Sequence, residues 1–360
     1  MKKLKGRNDT MPDITSAPIQ KYFIGSNTSR GFINCCDGAF LTLSRIYIIK
    51  GGPGTGKSTF MRKIAEHAER QGKTVIYYYC SSDPDSLDAV EIPDLGIAIT
   101  DGTSPHIFEA KYPGAKEEYL NFGEFWNSGF LSLCFPKIEE YGALKNKCFS
   151  LAYRYLSFSE SVRKERESVL SSCFDFKKAE GAVSRLMRDI GSGKGFSLEE
   201  RQISSFGMKG ISRFNTYSDM SERVVAIRDK RDVYPFILDM IVNKAEEQSL
   251  RTYISRDHLF RTEAIMFPEK KVCITFIGEN GDCDKIINTE RFIIAQKYAE
   301  NRRRLRFLHS LEEKLTDCAL SELSEAKKVH FLLENIYSEA MDFEALSHMT
   351  QAFSNKLFGK

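Results

Sequence analysis

Four apolar residues, Ile46 to Ile49, run together, and after a small-residue stretch apolar positions recur at helical spacing: Phe60, Met61, Ile64, Ala65 and Ala68. The short continuous run predicts a buried parallel strand, and the recurrence predicts an amphipathic helix. Gly72 is placed to stop that helix. Residues 74–79, β-branched and aromatic, predict a second strand, and the apolar run from Leu95 to Thr100 a third. A helix-rich stretch spans 149–190, and Gly191-Ser192-Gly193-Lys194-Gly195 follows as the clearest linker. More helix closes the chain. The strand–helix–strand alternation predicts an α/β fold, a parallel sheet flanked by helices.

The segment between the first strand and its helix carries chemistry. Gly51, Gly56, Lys57 and Ser58 satisfy G-x-x-x-x-G-K-[ST], with Gly52, Pro53, Gly54 and Thr55 between them and Thr59 after. Glycines let a backbone wrap a phosphate without Cβ clashes. The loop amides and the helix N-terminus then point at the anion. Lys57 is placed to reach the β- and γ-phosphates and Ser58 to ligate Mg²⁺. A nucleoside triphosphate is therefore the expected ligand. The bland alternative, a glycine-rich turn before a helix, explains neither the leading strand nor the Lys-Ser pair.

Such a site needs an acidic residue at the end of a neighbouring strand, to hold the water shell of Mg²⁺. Asp101 directly follows the third strand pattern and is the first candidate. Asp83 is the second, either for that role or for orienting an attacking water. Ser82 or Asp83 before Pro84 equally suits a helix N-cap and first position. Asp85 and Asp88 read as first-turn helix charges. His106 is a candidate γ-phosphate sensor, although a satisfied loop histidine is the commoner case. Lys50 reads as a solvated or supporting charge.

The 360 residues suffice for one large core or two ordinary ones, and 42% apolar with 28% charged residues is a globular composition. A formal net charge of +3 is too small to point to nucleic acid. Met1-Lys2-Lys3-Leu4-Lys5 is followed by no apolar stretch of the secretory kind, and no segment approaches ~20 continuous apolar residues. Nine cysteines are scattered with no CxxC pair, which suits free thiols in a reducing cytoplasm. The cluster Arg302-Arg303-Arg304-Leu305-Arg306 reads as a solvated helix face rather than an RNA or membrane patch. Asn243-Lys244-Ala245-Glu246 resembles a guanine-recognition motif only by coincidence, since it lies inside a helix pattern, so ATP is expected rather than GTP.

The second half echoes the first. Phe60, Met61, Ile64, Ala65, Ala68 and Glu69 match Ile237, Leu238, Ile241, Val242, Ala245 and Glu246 at a constant offset of 177. Ile92-Pro93-Asp94 and residues 97–100 match Phe267-Pro268-Glu269 and residues 272–275 at an offset of 175. The apolar pattern is kept twice, but the chemistry is not. Lys57 falls opposite Tyr234, Ser58 opposite Pro235 and Asp101 opposite Phe276. The loop glycines fall in residues 228–233, which contain none. The units expected are a P-loop NTPase domain over 20–200 and a degenerate repeat over 205–360.

Residues 50–59, 80–88 (Cys80-Ser81-Ser82-Asp83-Pro84-Asp85-Ser86-Leu87-Asp88) and 101–106 together resemble an uncharacterised bacterial family of tandem P-loop ATPases found mainly in Firmicutes. The resemblance covers about residues 20–150. It implies an ATP-binding protein with two P-loop halves but brings no substrate; this chain departs from it by lacking the second loop. The expected activity is Mg²⁺-dependent ATP hydrolysis coupled to a conformational change or to an unidentified partner, with Arg228 or Arg231 as a candidate arginine finger. A small-molecule kinase and a non-hydrolysing, nucleotide-gated binding module are the alternatives.

Overall fold

The computed structural model describes residues 19–34, 40, 42–103, 108–276 and 283–359. The chain opens with β1 (Gln20–Phe23) and the hairpin β2 (Gly25–Thr28) and β3 (Gly31–Asn34). Then follow β4 (Arg45–Lys50), α1 (Lys57–Arg70), β5 (Ile76–Tyr79), β6 (Leu87–Ile92), β7 (Ile97–Asp101) and β8 (Glu117–Asn121). Two helices come next, α2 (Ser128–Ser172) and α3 (Phe176–Ile190). The second half runs β9 (Ser197–Glu200), β10 (Ser204–Gly207), β11 (Gly210–Arg213), the short α4 (Thr216–Asp219), β12 (Arg223–Arg228) and α5 (Tyr234–Glu247). It continues through β13 (Arg251–Arg256), β14 (Thr262–Phe267), β15 (Val272–Phe276) and β16 (Lys285–Asn288) into α6 (Ala295–Glu339) and α7 (Phe343–Phe358).

Two six-stranded sheets result, ordered β1-β5-β6-β7-β4-β8 and β9-β13-β14-β15-β12-β16. In the first, β6 is antiparallel to both neighbours and the other pairings are parallel. In the second, β14 alone is antiparallel in the same way. The expected α/β class is thus observed, with mixed, mostly parallel sheets flanked by helices.

Strand alternation sends each sheet's side chains to two faces. Ile46, Ile48, Tyr78 and Ala98 of the first sheet share a core with Tyr253, Ala264, Met266 and Cys273 of the second. The opposite face of the first sheet, with Tyr47, Ile49 and Ile99, is covered by α1 through Phe60, Met61, Ile64, Ala65 and Ala68, the five positions that the spacing picks out. On the outer face of the second sheet, Ile237, Leu238 and Ile241 of α5 are buried with Val272 and Ile274.

Elements cross the boundary expected between 200 and 205. β9 pairs with β13 of the second sheet, and Ala179, Val183, Leu186 and Met187 of α3 join the core under α5. Reciprocally, Leu346 and Phe353 of α7 join the core under α1. The Gly191–Gly195 run leads from α3 to β9 and is bonded to the chain between α5 and β13, Gly193 N donating to Gln248 O at 2.9 Å and Gly195 N to Ser249 O at 3.1 Å.

α2 and α6 are each 45 residues long and pack along one another. Leu156, Ala319 and Leu323 sit in one core between them, and beside it Arg163 Nε donates to Glu312 Oε1 at 2.7 Å. The long helices interrupt their apolar positions with charge, and no helix among the described residues is long and apolar enough to cross a membrane. Arg302, Arg303, Arg304 and Arg306 are exposed on α6, as expected, and Arg304 pairs with Glu165. Asn243-Lys244-Ala245-Glu246 lies inside α5.

Candidate functional site

The glycine-rich loop joins β4 to α1. Gly54 (φ 69°) and Gly56 (φ 86°) take left-handed conformations, which L side chains resist. Close approach adds a second constraint: a Cβ on Gly54 would stand 2.6 Å from the Glu334 carbonyl, and one on Gly52 would stand 2.5 Å from the Tyr337 ring. The loop is therefore pressed against α6. Thr55 Oγ1 donates to Gly52 O at 2.8 Å and tightens the turn.

Gly56 is the N-cap of α1 and offers no side-chain cap, and no acidic residue occupies the first turn. The positive end of this helix dipole is thus left to the space in front of it. At the other end Gly72 (φ 72°) closes α1, with Gly72 N bonding Glu69 O at 2.8 Å and Lys73 N bonding Ala68 O at 3.0 Å.

A cavity of about 450 Å³ lies in front of the loop. Pro53, Gly54, Thr55, Gly56, Lys57, Ser58 and Thr59 line one side, and Asp83, Asp88 and Asp101 line another. Gly51 and Gly52 lie behind, their carbonyls accepting Lys57 Nζ at 3.3 and 2.5 Å. Lys57 Nζ also stands 3.5 Å from Asp101 Oδ2, with 10% and 13% of the two side chains exposed. Thr103 holds the carboxylate in place: its N–H donates to Asp101 Oδ1 at 2.8 Å, and its hydroxyl donates to Gly51 O at 2.8 Å. Ser58 Oγ accepts the Leu87 N–H at 2.9 Å, tying the first turn of α1 to β6. Lys50 has a supporting role, donating to Gly102 O at 2.8 Å and Glu109 Oε1 at 2.6 Å.

Three expectations need correction. Asp83 and Pro84 start no helix; they lie in a turn before β6, and Asp83 Oδ1 stands 3.5 Å from Lys209 Nζ. Asp85 sits in the same turn and also pairs with Lys209. Asp88 belongs to β6, only 5% exposed, one position from the Ala89–Thr100 pair; it thus lies level with Asp101 across the two strands. Nor does Arg228 or Arg231 line the cavity: Arg231 bonds Glu290 at 3.0 Å, its guanidinium 3.9 Å over the Tyr298 ring. His106, with Ser104 and Pro105, lies outside the described residues.

Four cavity residues come from the two long helices, where no local motif marks them. Lys145 and Phe149 project from α2, and His330 and Glu334 from α6. Burial lowers the pKa of the Lys145 ammonium, Lys57 adds to the effect, and Glu334 opposes it. The Glu334 carboxyl is held down chiefly by its hydrogen bond with His330, against its own burial. Among the described residues no group of three or more His, Cys, Asp or Glu has metal-holding geometry.

The second half closes its corresponding loop on itself. Asp229 follows β12 as Gly51 follows β4. Its carboxylate accepts the N–H of Tyr234 at 2.5 Å, the N–H of Arg231 at 2.9 Å and the Thr289 hydroxyl at 2.8 Å. Asp232 (φ 60°) pairs with Arg166 and, at 2.8 Å, with Arg261. Burial alone would raise the Asp232 pKa, but Arg261, Arg166 and Arg163 outweigh it and hold the carboxyl low. Phe276 stands at the end of β15, where β7 carries Asp101.

A family model described as "Nephrocystin 3, N-terminal" matches residues 39–92, the span from before β4 to the end of β6. No curated protein and no solved structure matches the chain.

Proposed function

We propose that this chain is an ATP-binding protein of the P-loop NTPase class, built as a tandem repeat with one competent and one closed site. The observation that carries the reading is the uncapped N-terminus of α1, framed by a left-handed glycine loop, with Lys57, Ser58 and Asp101 facing one cavity. Loop amides and a helix terminus suit a polyphosphate, and Lys57 suits its β- and γ-groups. The matching strand orders of the two sheets support the tandem reading, as does the placement of Asp229 opposite Gly51. The resemblance to the Firmicutes tandem family points the same way.

Ser58 and Asp101 fit an Mg²⁺ shared with phosphate and water. The cavity offers a hydroxyl and carboxylates without an all-protein cage, which is how Mg²⁺ is commonly held beside phosphates. Bound there, the ion would offset charge on the phosphate oxygens. Lys57 would leave the Gly51 and Gly52 carbonyls for the phosphates, and Asp83 or Asp88 would orient water. Since α6 touches the loop at Gly52 and Gly54, rearrangement of the loop would be felt along the α2–α6 pair. Mg²⁺-dependent hydrolysis coupled to that movement is the activity proposed.

Phosphate release from ATP, with and without Mg²⁺, tests this alongside direct ATP titration. Binding with release supports the ATPase. Binding without release leaves a nucleotide-gated module, and a phosphorylated metabolite in place of free phosphate would make the chain a kinase. Absence of binding overturns the reading.

A further inference from the structure

Lys145 sits within α2, partly buried, and lines the same cavity as Lys57. The two lysines differ in what holds them. Lys57 is engaged by two loop carbonyls and Asp101. Lys145 makes no hydrogen bond or ion pair among the described residues. Its environment supplies a neighbouring like charge in Lys57 and only a shared counter-charge in Glu334, which also answers His330 at 3.5 Å. The remaining cavity carboxylates are engaged elsewhere: Asp101 with Lys57 and Thr103, Asp83 near Lys209, and Asp88 with its own neighbours.

A half-buried ammonium with no hydrogen bond and only a shared counter-charge is costly unless something completes it. A multiply charged anion beside Lys57 would do so and would relieve the repulsion between the two lysines. Phosphate groups nearest Lys57 are the β- and γ-groups. A cation supplied from outside the phosphate loop is also what offsets the charge on the transferred phosphoryl group in phosphoryl-transfer sites.

We propose that Lys145 is a second phosphate-contacting cation, reaching the terminal phosphate from α2 and distinguishing a nucleoside triphosphate from a diphosphate. This rests on the ATP-binding reading and adds to it. Lys145 ties the state of the nucleotide to a helix whose far end, through Arg163 and Arg166, bonds Glu312, Asp257 and Asp232. The second half would thereby register whether the terminal phosphate is present.

The test is calorimetric titration of the full chain with Mg²⁺–ATP and Mg²⁺–ADP, in wild type, Lys145→Gln and Lys145→Arg. The wild type is expected to prefer ATP. Lys145→Gln should lose about tenfold or more in ATP affinity while ADP affinity holds, and Lys145→Arg should restore part of the preference. Because the ATP-to-ADP ratio is read within one variant, a folding defect weakens both and leaves the ratio in place. An unchanged ratio in Lys145→Gln overturns the inference while the ATP-binding reading stands. A wild type that binds neither nucleotide overturns both.

Discussion

The carboxylate of Asp229 accepts the first amide of α5, that of Tyr234, at 2.5 Å. An internal anion thus stands where the other loop leaves a helix terminus uncapped. This loop has no glycine, and Asp229 also ties down Arg231 and Thr289. Asp229→Ala should orphan two amides and cost about 1–3 kcal/mol in denaturant unfolding. It should create no second nucleotide site, because Tyr234 and Pro235 stand where Lys57 and Ser58 do in α1. Unchanged stability, or two ATP bound per chain, would contradict this.

Asp101 and Asp88 are level across β7 and β6, and both line the cavity. Asp101→Asn is expected to keep ATP binding and to lower Mg²⁺-dependent phosphate release about 10- to 100-fold, by weakening what holds the ion. Single-turnover release in Asp83→Asn, Asp88→Asn and Asp101→Asn compares the three. If Asp101→Asn leaves the rate intact and another variant lowers it, the metal carboxylate belongs to that residue.

Phe353, near the C-terminal end of the chain, packs on Tyr47 at 4.8 Å and Phe60 at 5.3 Å between ring centroids. It is buried in the core that supports the glycine-rich loop. Phe353→Ala should therefore destabilise the chain by about 3–5 kcal/mol, as large-to-small core changes do. A melting temperature equal to wild type would show that α7 is not part of that core.

His258 is largely shielded from solvent and stacked on Phe206, ring centroids 4.7 Å apart, and desolvation lowers its pKa from 6.5 to about 4 despite Asp257 beside it. The unfolded chain takes up a proton that the folded protein refuses. The stability concerned is therefore fully present above pH 6.5 and is lost as pH falls from 6.5 towards 4. A difference of that size is worth on the order of 3 kcal/mol. Asp232 and Asp257, both held low, add further loss at more acidic pH. His258→Phe should flatten unfolding free energy between pH 6.5 and 4 while leaving the acid limb. A wild-type slope that persists in the variant would contradict the assignment.

What could be read from sequence was local. The loop spacing, the buried face of α1 and the stop at Gly72 each depend on neighbours a few residues away. Asp101 was legible because it ends an apolar run. Asp88 was missed because Ser82-Asp83-Pro84-Asp85 imitates a helix start, while the actual element is a fully buried strand carrying Asp88 and Glu91. Lys145, His330 and Glu334 had no local signal, since their place at the loop follows from how α2 and α6 pack. The reciprocal cover of α3 over α5 and α7 over α1 was equally hidden: apolar periodicity names a buried face but not the sheet that buries it.

Lys57 is the residue on which the functional reading turns, held 3.5 Å from Asp101 and bonded to the loop's own carbonyls. Calorimetric titration of wild type and Lys57→Ala with Mg²⁺–ATP tests it most directly, with circular dichroism to check the fold. The expected result is a single ATP bound per wild-type chain and a loss of affinity of about 100-fold or more in a folded Lys57→Ala protein, as a doubly bonded phosphate cation implies. Equal affinity in the two proteins, or no binding by the wild type, would contradict it.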